Sequence, residues 1–197
     1  MKKIIVLVFM IIILLVCLYP SIRSFYLNSR QRCDIKPLIL DDSAFDKEVQ
    51  LIKIKSPISE APDRSVASWI SLNNTITFTD IIDHSTVSLA EKKYAKQRKL
   101  AFETTEYEHS WKTPEFPDAI LSTETGFYAC GISDGKNLCR FAAQYQNYSV
   151  YMFMSITEGG FTVEDFHDAI VSIDHKMTAC LEYEENENTS IFDRIFY

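Results

Sequence analysis

Two cysteines stand at equal distances from a tight-turn signal. Ser133-Asp134-Gly135-Lys136 puts Asp-Gly at the central positions of a type I′ turn, and Cys130 and Cys139 flank it symmetrically. Counting outward, Ser133 and Lys136 form a hydrogen-bonded pair, Ile132 and Asn137 lie opposite one another, and alternation makes Cys130 with Cys139 a non-hydrogen-bonded pair. Such pairs bring α-carbons to about 4.5 Å, within reach of a disulfide. The spacing therefore predicts a hairpin clamped by Cys130–Cys139. The alternative is two buried thiols packing as small hydrophobes, as expected in a reducing cytosol.

The strand after this turn runs from Leu138 to Tyr145, and a Gln146-Asn147 turn returns it through Tyr148 to Thr157, which predicts a three-stranded antiparallel meander. Period-two alternation puts Tyr128, Cys130, Ile132, Cys139, Phe141, Ala143, Val150, Met152 and Met154 on one face, the expected core face. The other face carries Arg140, Gln144, Ser149 and Ser155 but also Phe127, Leu138, Tyr151 and Phe153, so something must cover part of it. Upstream, two strands around Asn73-Asn74 form a second hairpin with Trp69 opposite Phe78. A short alternating run from Val49 to Ile54 reads as an edge strand.

Two helices complete the pattern. Ser88-Leu89-Ala90-Glu91 has capping-box spacing and opens a helix to about Glu103. After Gly159-Gly160, Thr162 caps a longer helix whose apolar positions Val163, Phe166, Ile170, Ile173, Met177 and Cys180 step by three and four, one stripe suited to the Met-rich sheet face. The fold expected is α+β: an antiparallel sheet of about five to six strands, the long C-terminal helix on one face and a second helix beside it.

The amino terminus sets the context. Residues 4–19 (IIVLVFMIIILLVCLY) carry no charged or amide side chain and follow Lys2 and Lys3. As a helix this run reaches about 24 Å against a hydrocarbon core of about 30 Å, a short span helped by snorkelling lysines and Tyr19 at the interface. It reads as an uncleaved membrane anchor. A cleaved signal peptide needs small residues before the cut, which Pro20-Ser21-Ile22-Arg23-Ser24 supplies poorly, and a lipid-bearing Cys17 is preceded by Leu15-Val16. Flanking charge leaves the orientation open, because Lys2 and Lys3 oppose Arg23, Arg30 and Arg32. The cysteines favour export: Cys33, Cys130, Cys139 and Cys180 are an even set beyond the anchor, fitting an oxidised chain in which Cys33 and Cys180 form a second candidate pair. The organisation expected is an anchor over 1–24, a juxtamembrane linker with an edge strand over 25–65, one α+β domain over 66–184, and an acidic hinge with an apolar tail over 185–197.

Composition bounds the function. With 197 residues, 47 % hydrophobic and 24 % charged, the chain has the material for one folded domain plus an accessory segment. A net charge of -7 argues against nucleic acid as a partner. Catalytic and metal signatures are missing: His84, His109, His167 and His175 make no His-Glu-x-x-His pattern, His167 and His175 are about 12 Å apart along one helix, and neither a Gly-x-Ser-x-Gly elbow nor a phosphate loop occurs. No cofactor, metal site or catalytic residue is assigned.

Two features invite partners. Lys92, Lys93, Lys96, Arg98 and Lys99 concentrate positive charge on the first helix, suited to anionic headgroups or an acidic partner, or simply to solubility. The tail ends with Ile191, Phe192, Ile195, Phe196 and Tyr197, apolar residues that must dock on their own domain or on another protein. The function expected is a single-pass cell-membrane protein with an extracytoplasmic binding or envelope-accessory domain. The alternative is an extracytoplasmic hydrolase-like enzyme whose site forms only in three dimensions around a histidine.

Overall fold

A computed structural model describes residues 32–55, 64–102, 111–116, 121–123, 125–133 and 135–196, with the course of the backbone alone for 53–55 and 188–196. The apolar run 4–19, Asp134, His109 and Tyr197 lie outside the described residues, and with them the anchor. Among the described residues no helix is long and apolar enough to cross a membrane.

Six strands form one sheet: β1 (Gln50–Lys55), β2 (Arg64–Leu72), β3 (Thr75–Asp83), β4 (Phe127–Ser133), β5 (Lys136–Tyr145) and β6 (Tyr148–Ser155). Their order is β1-β2-β3-β6-β5-β4, and every neighbouring pair is antiparallel. Both hairpins have the expected register, with Trp69 opposite Phe78 and Cys130 opposite Cys139. The turn chemistry explains why: Asn73, Asn74 and Gly135 adopt φ of 46°, 67° and 70°, the left-handed region that Asn and Gly tolerate at low cost. The pairing of β3 with β6 then joins hairpin and meander into one sheet.

The chain divides into two compact units, one of Asp34–Leu181 and one of Met1–Cys33 with Glu182–Tyr197. In the first, the two sheet faces carry different covers. One face presents Cys139, Phe141, Ala143, Val150, Met152 and Met154, all fully buried. Against it lies the buried stripe Phe166, Ala169, Ile170, Ile173 and Met177 of the long helix α2 (Val163–Phe196). Each large side chain so buried contributes about 1.5–3 kcal/mol. The expected face is corrected at its margin: Ile132 is 48 % exposed, and Tyr128 and Cys130 are half-buried. β4 is one of the two outer strands, so its side chains reach past the cover that the central strands share.

α2 begins as its sequence predicts. The Thr162 N–H donates to Asp165 Oδ2 at 2.7 Å and the Asp165 N–H donates to Thr162 Oγ1 at 3.2 Å, a reciprocal capping box. It continues through Glu184 to Asn188, the stretch expected as a hinge, and ends at Phe196. In the second unit the Cys33 N–H donates to Glu184 Oε1 at 3.0 Å, and Glu184 is buried.

The other helix, α1 (Val87–Phe102), starts two residues earlier than a Ser88 cap would place it. Thr86 is the capping residue, its Oγ1 accepting from the Leu89 N–H at 3.3 Å. The Ser88–Glu91 box therefore does not form: with Val87 and Ser88 already in the first turn, Ser88 cannot act as the residue flanking it. α1 covers part of the second sheet face, where its Ala101 carbonyl accepts from Arg140 Nη1 at 2.6 Å.

Candidate functional site

A cleft opens between α1 and the sheet. On the helix, Ala90, Tyr94, Gln97 and Ala101 share one side, with Ala90 and Ala101 buried and Gln97 half-buried. The alanines allow the helix close to the strands, and Gln97 and Leu100 then wall a space of about 320 Å³ floored by Arg140 and Tyr151. On the strands, one register row runs Trp69, Phe78, Phe153 and Arg140. Its rings meet at centroid distances of 4.9 Å for Trp69–Phe78 and 5.4 Å for Phe78–Phe153. The row delivers Arg140 to the foot of the cleft.

Arg140 is held on two sides. Nη1 ties to the last turn of α1, and the guanidinium lies over the Trp111 ring, 5.1 Å from its centroid. Its Nε is buried and has no hydrogen-bond partner, and Gln97 Oε1 is in the same condition. A buried donor or acceptor left unsatisfied costs about 1–3 kcal/mol, so the cleft holds one unmet donor and one unmet acceptor. Burial raises the Tyr151 phenol above its ordinary value, only partly offset by the Arg140 charge, so the hydroxyl is a neutral donor and acceptor. Asp80, the register partner of Tyr151, is also raised by burial, with Lys93 and His84 pulling the other way.

Two other concavities differ in chemistry. One of about 380 Å³ lies at the β4–β5 hairpin, where Ile132, Leu138, Ile156, Val163 and Pro114 meet the Cys130–Cys139 bridge, with Lys112 at its edge. The other, about 510 Å³ and wide open, brings His175 beside Asp46, Asp168 and Lys176. His84 Nε2 lies 2.9 Å from Ser149 Oγ, yet His84 is 3 % and Ser149 0 % exposed, and neither is among the described residues that line these three clefts. A nucleophile sealed from substrate does no chemistry.

The expected disulfide Cys130–Cys139 is formed, its α-carbons 4.0 Å apart. Cys33 and Cys180 are oxidised as well, each within a disulfide and each buried. Of Lys92, Lys93, Lys96, Arg98 and Lys99, the residues Lys92, Lys96 and Lys99 form one exposed stripe, while Lys93 is half-buried near Asp80 and Arg98 lies over the Phe127 ring at 4.9 Å. Ile191, Phe192, Ile195 and Phe196 lie on the last turns of α2. Gln97 and Arg140 as a pair escaped sequence reasoning, because only the helix cover of the second face brings them together. No known family model matches the sequence, and no curated protein matches it.

Proposed function

We propose that this chain is an extracytoplasmic binding or envelope-accessory domain, tethered to the cell membrane by residues 4–19 and working without covalent chemistry. The observation that carries the reading is that every described cysteine is in a disulfide. Cytosolic thiol systems keep such pairs reduced, whereas exported chains keep them. The α1 cleft supports binding over catalysis, since Arg140, Gln97 and Tyr151 orient a ligand but bring no nucleophile or general base.

The competing reading, a hydrolase built on a histidine, has its best geometry in the open groove of His175 with Asp46 and Asp168, which excludes little water. The C-terminal residues 191–197 are the proposed contact for a protein partner. Their removal should leave the melting temperature unchanged and abolish capture of that partner, and a loss of stability would count against it.

Thiol labelling of intact cells and membranes, with and without reductant, tests the compartment. Cys130 and Cys139 should resist a maleimide after denaturation and label only after reduction. Free labelling without reductant would sink the proposal.

A further inference from the structure

We propose that the cleft between α1 and the sheet is a carboxylate-binding site, selective for an acid that carries an N–H or O–H beside its carboxylate. This rests on reading the domain as a binding module. Arg140 supplies the recognition: Nη1 is engaged on the Ala101 carbonyl and the guanidinium lies over Trp111, while Nε stays buried and unpartnered in a side chain that lines the cleft. A guanidinium edge matches the two oxygens of a carboxylate, and it stays charged at any working pH. Among the described residues that line the cleft, Gln97, Leu100, Ala101, Arg140 and Tyr151, none is acidic.

The second polar group refines the ligand. Gln97 Oε1 is buried and unpartnered in the same lining, so it asks for a donor, which Arg140 does not provide to it. A ligand that answers both needs has its carboxylate on Arg140 and an adjacent N–H or O–H on Gln97, with the Tyr151 hydroxyl able to join either. An N-acylated amino acid and the carboxyl terminus of a peptide share this pattern. Apolar surface from Leu100 and Ala101 accepts a small side chain, and the volume of about 320 Å³ suits a group of that size.

The simpler role for Arg140 is to hold the end of α1, and the experiment must separate the two. The full chain in detergent micelles is titrated with N-acetylglycine, with N-acetylglycinamide and with the peptide N-acetyl-Ala-Ala-Gly, following the arginine Nε–H resonances by nitrogen-15 NMR; the R140K spectrum assigns the Arg140 signal. N-acetylglycine should shift that signal saturably, and the amide, lacking the carboxylate, should bind at least about tenfold more weakly. R140K keeps a charge near Ala101 but loses the donor edge and the reporter signal; followed instead by backbone amide shifts, recorded in parallel for every variant, it should bind about tenfold or more weakly. Q97A leaves Arg140 in place and should weaken it about three- to tenfold.

Tighter binding of the tripeptide assigns the source as a peptide terminus, and equal or weaker binding assigns a free small acid. Absence of any shift with both acids, equal binding of the amide, or native affinity in Q97A would overturn the site, and the last two hold even if R140K fails to fold. Chemical conversion of a bound probe would support the site while overturning the non-catalytic reading on which it was raised.

Discussion

Cys130 is bridged to Cys139 on one side of its strand and hydrogen-bonded to Lys112 on the other. The Lys112 N–H donates to the Cys130 carbonyl at 2.8 Å and the Cys130 N–H to the Lys112 carbonyl at 2.9 Å. This follows from the ladder: a residue in a non-hydrogen-bonded pair turns its backbone groups away from its partner strand, so the disulfide partner and the hydrogen-bond partner must lie on opposite edges. The bridge thereby holds β4, an outer strand, between β5 and the Lys112 segment.

Removing that bridge with a C130A/C139A pair should lower stability by about 2–3 kcal/mol, since a closed loop this short removes modest entropy from the unfolded chain. Denaturant titration of the native chain with and without reductant, beside the double variant, measures it. An unchanged midpoint would mean the hairpin is held by its turn alone.

The α2 capping box should behave as a coupled pair. Thr162→Ala and Asp165→Ala should each cost about 1 kcal/mol, and the double variant less than their sum, because both remove the hydrogen bond that Thr162 Oγ1 donates to Asp165 Oδ2 at 2.9 Å. Burial alone would raise Asp165, but its hydrogen bonds to Lys47 and Thr162 outweigh it and hold the carboxyl below its ordinary value of 3.8. A depressed folded value contributes stability above the unfolded one and loses it as pH falls through the folded one. Acid unfolding curves should therefore show D165N losing less stability than the native chain below about pH 4.

Tyr145 should set an alkaline limit. Its hydroxyl donates to Asp174 Oδ1 at 2.7 Å, and burial together with that carboxylate raises the phenol far above 10.0. The unfolded chain ionises first, so stability is unaffected below about pH 10 and declines above it. Y145F should cost about 1–2 kcal/mol at pH 7 and flatten that decline. Absorbance of the phenolate on base titration checks it, since Tyr145 should ionise only with unfolding.

Asp83 lies at zero exposure, paired with Arg64 and accepting from Asn147 Nδ2 at 2.8 Å. R64A should cost about 2–4 kcal/mol at neutral pH, because it withdraws the ion pair from a buried carboxylate. Adding D83N should recover most of that loss. A double variant no better than R64A alone would show that the pair matters for shape rather than charge.

Particular residues show how far the sequence could be read. The pairings Cys130–Cys139 and Trp69–Phe78 are legible in the sequence because a two-residue turn and a period of two set register from neighbours alone. The α2 cap and stripe were legible for the same local reason. The α1 cap is not legible in the same way, because Thr86 and Ser88 compete within three residues and propensity does not choose between them. The margin of the core face at Ile132 depended on strand order, which alternation does not encode.

Local chemistry in the sequence thus determined both hairpins, the cysteine bridge between β4 and β5, and the apolar stripe of α2, since turn dihedrals, pleat and helical period act over a few residues. Only tertiary structure decided that β3 pairs with β6, that α1 lies on the face opposite α2, and that Gln97 and Arg140 share a cleft. Those outcomes depend on which buried faces meet, and that is settled by packing between segments far apart in the chain.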